Sequence, residues 1–539
     1  MHDENAGSIP KADLEPGQAA VVGHPPPPAS WPLGSLWWLL LVGAATAALC
    51  LPFLRTVYWF GDEGVLLHGA ERMLHGRRLY ADFFEILPPG GFILTAAWFQ
   101  IVGISILSAR SLAILTIVGI TCFTYLACRR ASGNARLSAA FTIGWIMMAQ
   151  QLWVVVSHHW FTTLFSMIAV WAALAGVEDE RRRLRWPLIA GIAAGMAAIV
   201  IETQGALVMM AALLAFVHPQ QRPARLFAYL LGCALAPVSV FAYLVESHTL
   251  APAFNDVILW AAKHYTSVQG VPFGWSADAQ NAPLKYLFAV AIMLTALMSI
   301  RQWRIWWEDR KLLLCAAFGV GAFVSCSPRP DIYYIGVVMP LALPLLLFSM
   351  VNLSRWWRPV ERHIAVGLMI ALIVPAAAAY VRTAVHAQKA RVVRTPRGEI
   401  AVVRQPGVGR LLSQIAETPP GDAYFFYPYL PMMPFLTAHR GVSRYDLFVP
   451  EFTLPAQYQK ACVSVMRHAS WLVIDRQWTD PRLLKQAFPG MQNPRPPETR
   501  QFEHALKRAF KLVATEGVFE LRRRRTSGVD AGLCAEIAR

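Results

Sequence analysis

Acidic and histidine side chains crowd between residues 62 and 85: Asp62, Glu63, His68, Glu71, His75, Asp82 and Glu85. An adjacent acid pair such as Asp62 and Glu63 has the chemistry of a general base with an orienting neighbour, provided that it is buried enough to be tuned. A second role is open to both residues. Asp62 directly precedes a helical pattern and suits an N-cap, and Glu63 complements the helix dipole. Asp82 and Glu85, in Tyr80-Ala81-Asp82-Phe83-Phe84-Glu85, either line the same site or make a solvated turn.

Candidate partners lie further along the chain. Arg329, in Ser327-Pro328-Arg329-Pro330-Asp331, has a planar fork suited to phosphate, or pairs with Asp331. Lys263, in Lys263-His264-Tyr265, is a second phosphate candidate. His158 and His159 open an apolar segment; a metal there needs further ligands, and a structural pair is the other reading. No CxxC or HExxH motif is present, so the sequence requires no metal, and a divalent ion stays open as a cofactor. Phe425-Phe426-Tyr427-Pro428-Tyr429 offers stacking faces for a sugar, or a buried strand and turn.

The elements that position these residues belong to a membrane protein. Hydrophobic residues make up 56% of the 539 positions and charged residues 15%, well below the roughly 25% usual in soluble domains. Apolar blocks fall near 33–54, 88–103, 110–128, 137–156, 158–177, 186–201, 203–217, 226–246, 284–300, 312–325, 332–352 and 363–381. The net charge of +16 does not signal nucleic acid, because the arginines gather in short connections between apolar blocks. The connections near 129–136, 181–185, 222–225, 301–311 and 355–362 hold sixteen Lys and Arg, whereas the connections alternating with them hold only Lys263 and Arg329. The positive-inside rule puts the basic set in the cytoplasm. The alternation closes with a cytoplasmic N-terminus only if 88–103, which opens with Pro88-Pro89, does not cross.

The expected architecture is therefore a tail over 1–32, about eleven spans over 33–381 with a first outer loop at 55–109, and an extracytoplasmic α/β domain over 382–539. Within the first loop, 63–76 reads as an amphipathic helix on the bilayer surface. Val65, Leu66, Gly69, Ala70, Met73 and Leu74 share one face, and Glu71, Arg72 and His75 share the other. In the last domain, 423–427 and 471–475 read as buried strands, and 511–514 with 518–522 as a closing hairpin. Helical spacing marks 411–416, 456–468 and 502–510. Cys462 and Cys534 pair if this domain lies in an oxidising compartment.

Tyr58-Trp59-Phe60-Gly61-Asp62-Glu63-Gly64, then Gly69 to Gly76, Tyr80 to Glu85 and Pro88-Pro89-Gly90, resembles the GT-C superfamily. The likeness is to the polyprenyl-phosphate-sugar-dependent group of protein O-mannosyltransferases and lipid A aminoarabinose transferases. It covers residues 33–130 well and the remaining spans loosely. It implies an inverting glycosyltransferase of the cell membrane that moves a sugar from a polyprenyl-phosphate donor to a lipid or glycan acceptor on the outer face. It also implies Asp62 as base, Glu63 as its orienting neighbour or a metal ligand, and Glu85 lining the site. Two positions depart from the pattern: His158-His159 stands where relatives carry an acid, and Glu202-Thr203-Gln204-Gly205 where relatives often carry Lys. A transporter or flippase for a lipid-linked saccharide is the first rival, and a non-catalytic lipid-phosphate-binding protein the second.

Overall fold

The computed structural model describes residues 33–57, 59–149, 154–179, 181, 183–217, 223–273, 275, 309–353, 359–403, 405–419, 421–525, 531–535 and 537. The expected span at 284–300 lies outside them. The apolar blocks form helices, because uninterrupted apolar sequence can satisfy its backbone in lipid only internally. In chain order these are α1 (Leu33–Cys50), α2 (Asp62–Leu74), α3 (Gly90–Val102), α4 (Ile106–Ser132), α5 (Ala135–Ala149) and α6 (His158–Glu178). They continue as α7 (Arg185–Ala198), α8 (Glu202–Leu213), α9 (Pro223–Glu246), α10 (Leu250–Ala253), α11 (Ala261–Gln269), α12 (Arg310–Ser325), α13 (Ile332–Val338), α14 (Leu343–Phe348) and α15 (Pro359–Lys389). A π-helical segment, Phe254–Trp260, joins α10 to α11.

Among the described residues, four helices are long and apolar enough to cross a membrane: Leu36–Phe53, α4, α6 and α9. The block expected as one span at 332–352 passes the same test as a pair, bent by 58° between Ile332–Leu341 and Leu343–Val351. Pro340 and Pro344 flank the break, and each removes a backbone donor there. Helix α3 has 13 residues, about 20 Å of helix against about 30 Å of hydrocarbon. Helices α7 and α8 are likewise short, 14 and 12 residues, and meet at a turn around Ile199 to Ile201. The basic connections converge at one end of the bundle: Glu178 pairs with Arg130 and, at 2.8 Å, with Lys311.

The other end carries the mixed part of the fold. A three-stranded sheet, order β1-β3-β2, joins β1 (Thr56–Val57) of the first loop to β2 (Arg391–Thr395) and β3 (Gly398–Val402) of the C-terminal region. Strand β1 is parallel to β3, with Val57 opposite Val402, and β2 is antiparallel to β3. Residue 382, expected as a domain boundary, falls inside α15. The rest of the C-terminal region contains α16 (Val408–Ala416), β4 (Tyr424–Tyr427), α17 (Met432–Thr437), α18 (Pro455–His468), β5 (Trp471–Asp475), α19 (Pro481–Ala487), α20 (Pro497–Ala509), β6 (Phe510–Glu516) and β7 (Phe519–Arg524). Its sheet has the order β4-β5-β7-β6, parallel between β4 and β5 and antiparallel elsewhere. A disulfide joins Cys462 to Cys534.

Helix α2 departs most from the sequence expectation. It does not lie with a polar face in water; it is packed between α3 and α17, with Glu63, Leu66, Leu67, His68, Ala70 and Glu71 all buried. Gly64 makes the closeness workable, since a Cβ there would lie 2.1 Å from the Met432 amide nitrogen. That amide donates to the Phe60 carbonyl at 2.9 Å, fixing the start of α2 to the C-terminal region. Gly64→Ala is expected to push the two apart at a cost of ~1–3 kcal/mol. Thermal unfolding of the purified protein checks it, and an unchanged Tm would contradict the contact.

Candidate active site

The seam between α2 and the C-terminal region brings Asp62 to a cluster of aromatic and charged groups. Gly61, not Asp62, occupies the N-cap of α2, and no side chain caps that end. The Asp62 carboxylate instead accepts a 2.7 Å hydrogen bond from the Tyr429 phenol. Gly61 permits this approach: a Cβ there would lie 2.5 Å from the Trp59 ring and 2.7 Å from that of Tyr429. Trp59 meets Tyr429 edge-on at 5.5 Å and stacks on Trp478 at 5.6 Å. Burial pushes the Asp62 carboxyl above the usual carboxylate range; the Tyr429 phenol and the Arg329 charge pull it down, and Asp331 pushes it up.

Arg329 therefore acts on Asp62 at a distance. Its own fork is committed: Nε donates to Asp331 at 2.9 Å, Nη1 to Gln269 at 2.9 Å and Nη2 to the Ala487 carbonyl at 3.1 Å. The guanidinium also lies over Trp275 and Phe488. Asp331 in turn caps α13 by accepting from the Tyr333 and Tyr334 amides, both at 3.0 Å. Tyr334 hydrogen-bonds Tyr265, and both phenols lie within electrostatic reach of Asp62. His159 packs edge-on against Tyr334 at 4.4 Å and on His158 at 4.0 Å. His158 and His159 are thus attached to the cluster through Tyr334.

The other sequence candidates lie elsewhere. Glu63, adjacent to Asp62 in sequence, is held by Arg110 of α4, which is fully buried, and accepts from the Val156 amide at 3.1 Å. Arg110 also donates to the Thr56 carbonyl at 2.7 Å. Glu63 therefore ties α2 to the bundle. Asp82 sits on an outward turn, where the Arg78 amide donates to it at 2.8 Å; that bond holds its carboxyl below the usual range. Lys263 is exposed. Glu85 is buried, and burial together with Asp446 and Asp256 raises its carboxyl well above the usual range, against the pull of Arg72. It belongs to a neighbouring polar cluster in which Arg72 grips Asp446 with bonds of 2.5 and 3.0 Å. Arg444, 3.5 Å from Asp256, donates to the Tyr80 carbonyl at 2.5 Å. Tyr429 feels both clusters, since Asp62, Glu85 and Asp446 all act on its phenol.

Further along α2, Glu71 pairs with Arg397 beside His68. Burial outweighs both nearby arginines and pushes the Glu71 carboxyl up to about 7. Among the described residues, no three His, Cys, Asp or Glu side chains are placed to hold a metal ion. With Glu63 committed to Arg110, the described donors around Asp62 do not fit one.

Tyr429 was legible only as a stacking face and Asp331 only as a partner of Arg329, and Tyr265, Tyr334, Arg72 and Asp446 were not legible as site residues. Tyr265 and Tyr429 stand in motifs that the sequence singles out, but nothing local marks Tyr334 or Asp446.

The fold is shared with a solved membrane protein, ArnT. The solved ArnT from Cupriavidus metallidurans bound to undecaprenyl phosphate superposes with a TM-score of 0.56 at 16% identity, covering 92% of this chain and 98% of that one. Its apo state gives 0.54 at 16% identity, over 93% and 99%. No protein-family model and no curated protein matches the sequence.

The Glu63–Arg110 pair gives a clean contrast with Asp62. Arg110→Ala should cost about 3–5 kcal/mol by stranding a buried carboxylate. Glu63→Gln, which keeps an oxygen for the Val156 amide, should cost less. Thermal unfolding of both variants checks the order, and equal or reversed losses would contradict the anchoring role.

Proposed function

We propose that the chain is an inverting membrane glycosyltransferase. It moves a sugar from a polyprenyl-phosphate donor to a hydroxyl of a lipid or glycan acceptor, at the outer face of the cell membrane. The observation that carries this reading is the placement of Asp62. It is a raised, Tyr429-bonded carboxylate at the seam between the apolar helices and the C-terminal region. A lipid-linked donor can reach that seam from the bilayer and an acceptor can reach it from water. The GT-C fold supports the donor class, because a protein of the same fold was solved with undecaprenyl phosphate.

The chemistry is a single displacement. The acceptor oxygen forms a bond to the anomeric carbon as its proton passes to the Asp62 carboxylate. The bond from that carbon to the phosphate oxygen breaks, and polyprenyl phosphate leaves with the electron pair. A base so placed contributes about 10²–10⁴-fold. The Tyr429 hydrogen bond favours the charged form of Asp62 against its burial, and Arg329 adds positive potential while its own hydrogen bonds keep it in place. Glu85, Asp446 and Arg72 make the adjoining wall, on the side reached from the first outer loop. The outer location draws on two supports: the arginine-rich connections converge at the opposite end of the bundle, and the Cys462–Cys534 disulfide suits an oxidising compartment. A transporter would place ionisable groups at mid-span. Here buried Arg110 and Arg225 lie near the first turns of α4 and α9.

Asp62→Asn is expected to lower transfer by about 10² or more while the purified protein keeps its Tm. Retained transfer would remove Asp62 as the base. The pH profile gives a second test. Asp62 must be ionised to accept a proton, and its raised carboxyl puts the acidic limb of kcat/KM above the ordinary carboxylate range. Tyr429→Phe removes a donor that favours the charged form, so the limb should move to still higher pH. An unmoved limb, or one displaced downward, would separate Tyr429 from the base.

A further inference from the structure

The C-terminal region carries a groove that the proposed transfer does not use. Two adjoining clefts of about 500 and 430 Å³ share Gln405 and Pro406. Arg476 and Gln477 line the first, and Arg391 and Arg410 line the second. The floor is fixed by backbone contact. A Cβ at Gly407, whose φ is +92°, would lie 2.4 Å from the Glu516 carbonyl carbon, and one at Gly517 would lie 2.0 Å from the Pro406 oxygen.

The groove has a distinctive chemical lining. Gln405 Oε1 is buried with no hydrogen-bond partner among the described residues, and a buried acceptor calls for a donor from a ligand or water. Arg391 is exposed and has no ion-pair partner among the described residues. Arg410 gives Nε to Glu516 at 2.5 Å, and Arg476 gives Nη2 to the Gly517 carbonyl at 2.8 Å with Glu520 3.9 Å from its Nε. These bonds orient both guanidinium groups and leave further N–H donors on each.

The groove also has a direction. Arg476 and Gln477 run directly into Trp478, which stacks on Trp59; Trp59 meets Tyr429, and Tyr429 bonds Asp62. Strand β3, which leads to Gln405, is parallel to β1, which leads to Asp62. Cations, a lone buried acceptor and a row of aromatic rings suit a saccharide that bears acidic groups, because sugars present hydroxyl donors and apolar C–H faces together.

We propose that this groove binds an anionic saccharide. Its acidic groups lie on Arg391, Arg410 and Arg476, a hydroxyl donates to Gln405 Oε1, and the chain extends past Trp478 and Trp59 toward Asp62. Only that direction rests on the transferase reading; the binding does not.

Isothermal titration of the full-length protein in detergent tests it with four probes: a hyaluronan hexasaccharide, pentamannosyl 6-phosphate, maltohexaose and inorganic phosphate. One of the two acidic saccharides should bind at least about tenfold tighter than both maltohexaose and phosphate, and the tighter one identifies the acidic group. Arg391→Ala with Arg476→Ala should weaken that binding by about tenfold or more, whereas Asp62→Asn should bind as the wild type does. If the double variant loses its thermal transition, Arg391→Glu alone, a change at an exposed side chain, is read in its place. Equal binding of acidic and neutral saccharides, phosphate binding as tight as either acidic saccharide, or unchanged binding in the variant that folds would each overturn the proposal. Loss of transfer in Asp62→Asn with binding retained, or the reverse, separates this proposal from the catalytic one.

Discussion

The contact between the first turn of α2 and the segment Tyr429 to Met432 governs the rest of the structure. Three features coincide within five residues of chain: the Phe60 carbonyl takes the Met432 amide, Gly61 lets the Trp59 and Tyr429 rings approach, and Gly64 lets backbone meet helix. Their joint consequence is that Asp62, which its sequence position would leave beside water, becomes a half-buried carboxylate with one phenol donor. Desolvation raises its proton affinity, and a hydrogen bond to its charged form limits the rise. A carboxylate poised in this way follows from the packing of two chain segments 367 residues apart.

The ion pairs around α2 serve that contact. Glu63 with Arg110 anchors the helix to the bundle, while Arg72 with Asp446 and Glu71 with Arg397 fix it to the C-terminal region. Buried pairs of this kind add little net stability but make the wrong arrangement costly, because separation strands a charge. The same logic applies to Arg329, whose three hydrogen bonds link the α11 end, the α13 cap and α19. The ends of α11 and α19 and the start of α13 are thereby held in one register around Asp62.

Much of the skeleton was legible in the sequence because it depends on local pattern. Strand β5 occupies residues 471–475 as its apolar run requires, and the hairpin of β6 and β7 forms around Thr515 to Gly517. The long apolar helices α4, α6 and α9 follow their hydrophobic blocks. The amphipathic pattern of α2 was also legible, but its destination was not. The partners of its polar face, Asp446 and Arg397, lie 374 and 326 residues away, and charged residues look the same in sequence whether they meet water or each other. Arg329 illustrates the same limit: its type suits phosphate, yet its hydrogen bonds go to Gln269, Asp331 and Ala487. The break inside 332–352 was carried by Pro340 and Pro344, which a hydrophobicity count passes over.

In the proposed reaction, Asp62 acts on a sugar carried by a polyprenyl phosphate. Native mass spectrometry of the full-length protein, purified in mild detergent from cells that make such lipids, tests it without a choice of acceptor. The wild type should carry polyprenyl phosphate, the product of transfer, and Asp62→Asn should carry the sugar-loaded form, because binding persists while displacement stops. Absence of any polyprenyl mass from both proteins, or the same bound species in each, would contradict it.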